Sequence, residues 1–232
     1  MARKPLKITI LRSTDRHGHR RMARWAVARR KEVIERVIRA VLQAQVPRER
    51  HHDFTVRVEM RAGGRGLLKK YWGYASVYRH GSGVAVTDCG RVVYQIKLRK
   101  WMGWCSLVNM AAHEAIHVAQ TVNGRLEYRR VKGRWRHYWD GVDHTDTPYR
   151  QKPCEILAYA DSHRCALGAL DHDPRIAEVI GLSDAEPVRT YFIDNYLTKG
   201  EEAFDKGGVP QLTTSPDDAT PNQPATEARG SD

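Results

Sequence analysis

One apolar stretch, residues 106–124, carries the sequence His113-Glu114-Ala-Ile-His117, an HExxH motif. Apolar residues recur around the motif at helical spacing, so we expect an α-helix of about four turns. Side chains four residues apart lie on the same face of a helix, so the two imidazoles can be directed at one metal ion. Glu114 is rotated by about 100° from His113 and can reach a water on that metal without being a ligand. The motif therefore predicts zinc bound by His113 and His117, with Glu114 as the catalytic carboxylate.

The ends of this helix are also readable from the sequence. Ser106 is the expected N-cap, and Asn123-Gly124 is expected to end the helix. With eleven His and twelve Glu in 232 residues, an HExxH arises by chance in roughly a few per cent of such chains. The alternative interpretation is a buried helix with two structural histidines. Ionisable residues in the middle of an apolar helix need a reason to be there, and a metal site supplies one.

A catalytic zinc needs a third protein ligand. The metzincin pattern would require Gly at position 120 and His at position 123, where this chain has Gln120 and Asn123. The candidates further along are Glu127, His137, Asp140, Asp143, His144, Asp146 and Glu155. Glu155 is favoured because it follows Pro153 at the start of a predicted helix, where a carboxylate is held rigidly, and because the small Ala158 permits close helix packing. His137, His144 and the aspartates remain open.

The remaining segments predict an α+β fold, a small sheet packed against the HExxH helix and a second, ligand-bearing helix. Residues 22–45 have the pattern of an amphipathic helix and residues 152–170 that of the second helix. Four segments alternate as strands of an antiparallel or mixed sheet, namely residues 54–60, 74–78, 84–86 and 92–98. Residues 126–139 predict a β-hairpin turning at Lys132-Gly133.

We divide the chain into three regions. Residues 1–50 form a basic strand and amphipathic helix packed on the core, residues 51–205 form the main domain, and residues 206–232 form a disordered tail. Residues 173–181 and 188–197 are expected to be short closing helices. The four cysteines form no CxxC pair and are expected to be reduced thiols. No apolar run reaches about 18 residues, so we expect no membrane span and a cytoplasmic protein.

The net charge of +12 is unevenly distributed. Residues 1–100 carry 25 Lys and Arg against 7 Asp and Glu, whereas residues 201–232 carry 2 against 7. Such a one-sided charge attracts nucleic acid or acidic partners, or is simply a solvated surface. The hairpin at 126–139 interleaves Arg and Lys with Tyr and Trp, which suits either base stacking or a sheet with one packed aromatic face and one charged face. We favour the packed sheet.

The sequence AHEAIHVAQ, followed by YWD, Pro148-Tyr149 and KPCEILAYA, resembles small gluzincin-type HExxH metallopeptidases, especially those encoded by bacteriophages and their bacterial relatives. In that group HExxHxxQ is followed by a P-x-E-x-x-A helix, and the resemblance covers residues 110–160 only. It implies a zincin-like fold, zinc held by His113, His117 and Glu155, and peptide hydrolysis with Glu114 as general base. The chain is less similar to SprT-like proteases of DNA-bound proteins, because no His lies between residues 118 and 136.

Two further expectations complete the functional interpretation. A donor to the oxyanion is expected among Tyr138, His144, Tyr149 and Tyr159, among which the sequence does not choose. The substrate partner is expected to be a protein or peptide. The alternative function is a basic nucleic-acid-associated protein with a structural or vestigial HExxH metal site.

Overall fold

The computed structural model describes residues 6–11, 24–61, 73–77, 79–80, 83–99 and 102–180. The fold is mixed α+β. The helices are α1 (Arg24–Gln45), α2 (Trp104–Val122), α3 (Pro153–His172) and α4 (Arg175–Ile180). The strands are β1 (Lys7–Ile10), β2 (Phe54–Arg61), β3 (Gly73–Val77), β4 (Arg79–His80), β5 (Gly83–Val84), β6 (Val92–Arg99), β7 (Leu126–Val131), β8 (Arg134–Trp139) and β9 (Val142–Asp143).

The main sheet has four strands in the order β1-β2-β6-β3. The pairs β1–β2 and β2–β6 are parallel, and β3 runs antiparallel to β6 at one edge. The mixed alternative expected from the sequence is therefore the one adopted. The predicted strand at residues 84–86 is not part of this sheet, because β5 pairs with β4 in a separate two-stranded ribbon and Val86 makes only an isolated bridge with Val92. The long connection through α1 gives β1 and β2 their parallel pairing, since parallel strands need a crossover.

The helices cover one face of this sheet. On that face β2 and β6 place Val58 opposite Ile96 and Met60 opposite Leu98, all fully buried or nearly so. These side chains share a single core with apolar residues of α1, α2, α3 and α4. The core extends from Leu6 to Val179, so the N-terminal strand and helix are integral to it.

The predicted hairpin is present as β7 and β8, extended by the short β9. Its turn has Lys132 at φ 49° and Gly133 at φ 80°, the left-handed pair that a tight two-residue hairpin turn requires. At the base of the hairpin Leu126 and Trp139 are buried with Cys154 in a second, smaller core. The hairpin thus lies in the segment that connects α2 to α3, and its base packs against the first turn of α3.

The predicted start of the motif helix is wrong. Ser106 is not the N-cap of the motif helix, because α2 begins two residues earlier at Trp104 after Gly103. Trp104 and Cys105 pack against the core, and this burial extends the helix backwards past the polar residue. None of the four cysteines, all of which lie among the described residues, forms a disulfide, as predicted. The predicted helix at 188–197 and the predicted disordered tail at 206–232 lie outside the described residues.

None of the helices in the described part of the chain combines the length and apolarity that crossing a bilayer requires.

Candidate metal centre

Helices α2 and α3 pack side by side and bring three predicted ligands together. His113 and His117 lie in the middle of α2, both buried. Glu155 lies in the first turn of α3, two residues after Pro153, and is 7% exposed. Ala158, one turn further along, is fully buried, which allows the close approach of the two helices. Among the described residues, no other group of three or more His, Cys, Asp or Glu side chains is placed to share a metal ion.

The ligand atoms have the spacing of a tetrahedral zinc site. Nε2 of His113 and Nε2 of His117 are 3.2 Å apart. Oε1 of Glu155 lies 3.4 Å from Nε2 of His117, and Oε2 lies 3.5 Å from Nε2 of His113. Two ligands bound at roughly 2.0–2.1 Å to a tetrahedral ion are about 3.3 Å apart. The donor set, two imidazoles and one carboxylate, is one that zinc commonly takes in catalytic sites. The three side chains are therefore placed to hold a metal ion, and their donor atoms are of the kind that zinc accepts.

A hydrogen-bonded chain fixes the tautomer of His117. The side-chain nitrogen of Gln120 donates to the backbone carbonyl of Cys154 at 3.0 Å, so the amide oxygen must be the atom facing Nδ1 of His117 at 2.9 Å. An amide oxygen only accepts, hence Nδ1 of His117 carries a proton, and Nε2 is the nitrogen that faces His113 and Glu155. Gln120 itself is buried. The ring of His113 is held in a similar way by the backbone carbonyl of Ala158.

The charges of the three groups are strongly coupled. Burial lowers the pKa of His113. Burial alone would lower the pKa of His117 as well, but hydrogen bonding to Glu155 and the charge of that carboxylate raise it overall. Burial opposes ionisation of Glu155, yet its hydrogen bonds with both imidazoles bring its pKa well below the usual range. The cluster thus keeps an ionised carboxylate in a buried position, where a cation is the natural counter-charge.

Glu114 lies beside this cluster but is not part of it. Its side chain extends from α2 to β3, where it accepts a hydrogen bond from the backbone of Ala75. Burial raises the pKa of Glu114 to about 8. Its second oxygen, Oε2, is buried and has no hydrogen-bond partner among the described residues. A carboxylate that is held on one oxygen and open on the other is suited to accept and release a proton.

Two of the four candidate oxyanion donors lie at the cluster. Tyr149 is hydrogen-bonded to Glu155, and burial together with that carboxylate raises the pKa of the phenol. The ring of Tyr159 contacts the ring of His113, with centroids 4.6 Å apart. The other two candidates make different contacts, Tyr138 with Arg129 and His144 with Thr147.

The alternative third ligands lie elsewhere. His137 is buried next to Cys154, with its Nε2 3.3 Å from Sγ of that residue. Burial and the charge of Lys152 lower the pKa of His137 to about 4. Three of the acidic candidates form ion pairs with arginines. These pairs are Glu127–Arg129, Asp140–Arg125 and Asp143–Arg136. His144 and Asp146 are likewise absent from the cluster.

A cleft of about 770 Å³ opens onto His117, Glu114 and Glu155. One wall is strand β3, and another is formed by Tyr128 and Trp135 of the hairpin, which are 47% and 48% exposed. The packed interpretation of the hairpin is therefore correct at its base, whereas nearer the tip its aromatic side chains line the cleft. The sequence argument missed Tyr128, Trp135 and Gly73 as parts of the site. In the sequence, Tyr128 and Trp135 are marked only by an aromatic alternation that suits a packed sheet equally well. Gly73 is marked only as a glycine at the start of a strand.

No protein-family model, curated protein or solved structure matches the chain. The functional interpretation therefore depends on the geometry of the site and on the motifs that build it.

Proposed function

We propose that this protein is a zinc-dependent metallopeptidase with a zincin-like fold. The observation that carries the proposal is the triangle of ligand atoms from His113, His117 and Glu155, with the carboxylate of Glu114 beside it at the bottom of an open cleft. A purely structural metal site is closed and has four protein ligands. Here three ligands converge, and the neighbouring acid is left outside the coordination set.

The chain would divide the chemistry among its own residues. His113, His117 and Glu155 would hold zinc, which when bound supplies a Lewis acid that lowers the pKa of water toward about 7. Glu114 accepts the proton of the attacking water through its unpartnered oxygen and passes it to the amine that leaves the cleaved peptide bond. Tyr159 and Tyr149 are the candidate donors to the oxyanion that lie at the cluster, and Tyr149 would exchange its hydrogen bond to Glu155 for one to the oxyanion.

The edge of the sheet supports a peptide as the substrate. Among the described strands, β3 pairs only with β6 and ends the sheet, and its residues line the cleft next to Glu114. An extended peptide can add to such an edge through backbone hydrogen bonds and so lie across the site. The half-exposed rings of Tyr128 and Trp135 face the same cleft and offer apolar contacts to side chains of the peptide.

Nucleic-acid binding, the alternative expected from the charge, gains no support from helix α1. Arg36 pairs with Glu32 and with Asp173, and Arg39 pairs with Glu35. The guanidinium of Arg30 donates to the backbone carbonyl of Met102. Three arginines of this helix are thus engaged by contacts within the protein.

The test combines metal analysis with hydrolysis. Purified wild-type protein should contain about one zinc per chain and cleave fluorescently quenched casein. The variant His117→Ala should lose the metal and the activity together. The variant Glu114→Gln should keep the metal and its melting temperature while the rate falls about 10²–10⁴-fold, the usual loss on removing a general base.

Each outcome has a clear meaning. Equal zinc contents of the wild type and His117→Ala would refute the proposed metal centre. Full activity in zinc-loaded Glu114→Gln would assign the base to another residue. Zinc-loaded wild type without hydrolysis of casein or of a random peptide library would overturn the peptidase function.

A further inference from the structure

Strand β3 presents its smallest side chains to helix α2. Gly73 and Ala75 stand opposite Leu98 and Ile96 of β6, so they lie on the face of the sheet that the helices cover. Gly73 is buried. The strand begins where Glu114 reaches across from α2, and both residues line the same cleft.

Gly73 has no room for a side chain. A Cβ atom at this position would lie 2.8 Å from Oε1 of Glu114, 3.1 Å from Cγ of Glu114 and 2.9 Å from Cγ of Met110. Contacts under 3.0 Å are not tolerated, so a neighbour would have to move. The backbone of Gly73 is held in the ladder with β6. The side chain of Glu114 is displaced more easily than this backbone, because among the described residues its carboxylate is held by the hydrogen bond to Ala75 alone.

The close approach gives Glu114 its orientation. Its Oε1 lies against Gly73, its carboxylate accepts from the backbone of Ala75, and its buried Oε2 has no partner among the described residues. A side chain at position 73 would occupy the space of Oε1 and turn the carboxylate away from the strand.

We propose that Gly73 is a positioning residue for Glu114, because the missing side chain lets the carboxylate lie against β3 in its working orientation. The proposal rests on the peptidase function proposed above. The proposal assigns metal binding and the orientation of the general base to different elements of the fold. The metal ligands come from α2 and α3, whereas the orientation of the base depends on the edge strand of the sheet.

The test is Gly73→Ala, compared with Gly168→Ala as the matched control. Gly168 lies in α3 with no atom within 4 Å of a Cβ placed there. In Gly73→Ala we expect unchanged zinc content and a kcat on quenched casein reduced about 100-fold, the usual effect of a misplacement near 1 Å, with little change in KM. Gly168→Ala should behave as wild type. A crystal structure of Gly73→Ala should show Glu114 displaced from the backbone of Ala75.

Two double variants separate the contact with Glu114 from the contact with Met110. If the loss acts through the carboxylate, Gly73→Ala should cost less in a Glu114→Asp background, because the shorter side chain removes the 2.8 Å contact with Oε1 and leaves only the 3.1 Å contact at Cγ. Combining Gly73→Ala with Met110→Ala should leave the loss in place. Rescue by Met110→Ala would show that the defect is one of packing, and would overturn the proposal.

The proposal and the peptidase function fail in different ways. Active wild type together with fully active Gly73→Ala would overturn the role of Gly73 and leave the peptidase function standing. Wild type that is inactive with zinc bound would overturn the peptidase function. In that case the crystal structure of Gly73→Ala decides the remaining question, and a Glu114 still bonded to Ala75 would reject Gly73 as its positioning residue.

Discussion

Gln120 offers a sharp test of the metal centre, because it touches a ligand without being one. Its amide joins Nδ1 of His117 to the backbone carbonyl of Cys154 through hydrogen bonds of 2.9 Å and 3.0 Å. Replacing it with leucine leaves the buried N–H of His117 without a partner and removes a second hydrogen bond from the carbonyl of Cys154, which lies within the hydrogen-bond ladder of α3. Removing an outer-shell partner typically weakens metal binding 10–100-fold, or about 1.4–2.7 kcal/mol. The free energy of unfolding of the metal-free protein should fall by about 1–3 kcal/mol, from one buried group left unsatisfied.

A second substitution separates these two effects. Glu at position 120 still accepts the hydrogen bond from Nδ1 of His117 but does not donate to Cys154. We therefore expect Gln120→Glu to bind zinc at least as tightly as the wild type while its stability falls. Gln95→Leu is the matched control, since Gln95 is also buried but bonds to Glu59 on the sheet. Gln95→Leu should leave zinc affinity unchanged.

The affinity is measured at 25 °C by competition with a chromophoric chelator, and the stability by urea unfolding of the metal-free protein. Wild-type zinc affinity in folded Gln120→Leu would refute the reasoning, because the tautomer of His117 would then not depend on Gln120. Equal weakening in the leucine and glutamate variants would mean that the link to Cys154, and not the bond to the imidazole, holds the site together.

Three further predictions concern stability and the cleft. Zinc at about 100 times its Kd should raise the free energy of unfolding by about 2.7 kcal/mol, seen as a higher melting temperature, and Glu155→Ala should abolish this gain. His137 has its pKa lowered to about 4 by burial, so the unfolded chain binds more protons between pH 6.5 and 4. Stability should therefore fall as the pH drops through that window, by up to about 3 kcal/mol from this residue, and urea unfolding of His137→Gln should show a shallower dependence. Trp135→Ala should raise the KM for casein about fivefold, the effect of losing about 1 kcal/mol of aromatic contact, with the melting temperature nearly unchanged because this ring is 48% exposed.

The sequence predicts those parts of the site that depend on local geometry. Helical spacing places His113 and His117 on one face whatever surrounds the helix, and their nitrogens lie 3.2 Å apart. The Lys132-Gly133 pair predicts the hairpin turn, because few residues adopt the left-handed conformation that it needs. Pro153 marks the start of α3 and so places Glu155 in its first turn.

Other parts depend on contacts between distant segments, which a single sequence does not specify. The N-cap prediction at Ser106 failed because packing of Trp104 and Cys105 outweighs the preference of one hydroxyl. The approach of Gly73 to Glu114 depends on how β3 pairs with β6, and neither residue reveals it alone. The aromatic alternation of the hairpin likewise leaves open which rings are buried at its base and which line a cleft.

The hairpin of β7 and β8 is inserted between the helix that bears the two imidazoles and the helix that bears Glu155. Its base is fixed by Leu126 and Trp139 in their own small core, whereas its turn at Lys132-Gly133 is exposed. Residues can be added or removed at that turn without moving either helix. Changing the length of this turn therefore changes the width and reach of the cleft independently of the positions of His113, His117 and Glu155. Such changes can be made in a library of variants, and insertions or deletions at this turn can do the same in evolution.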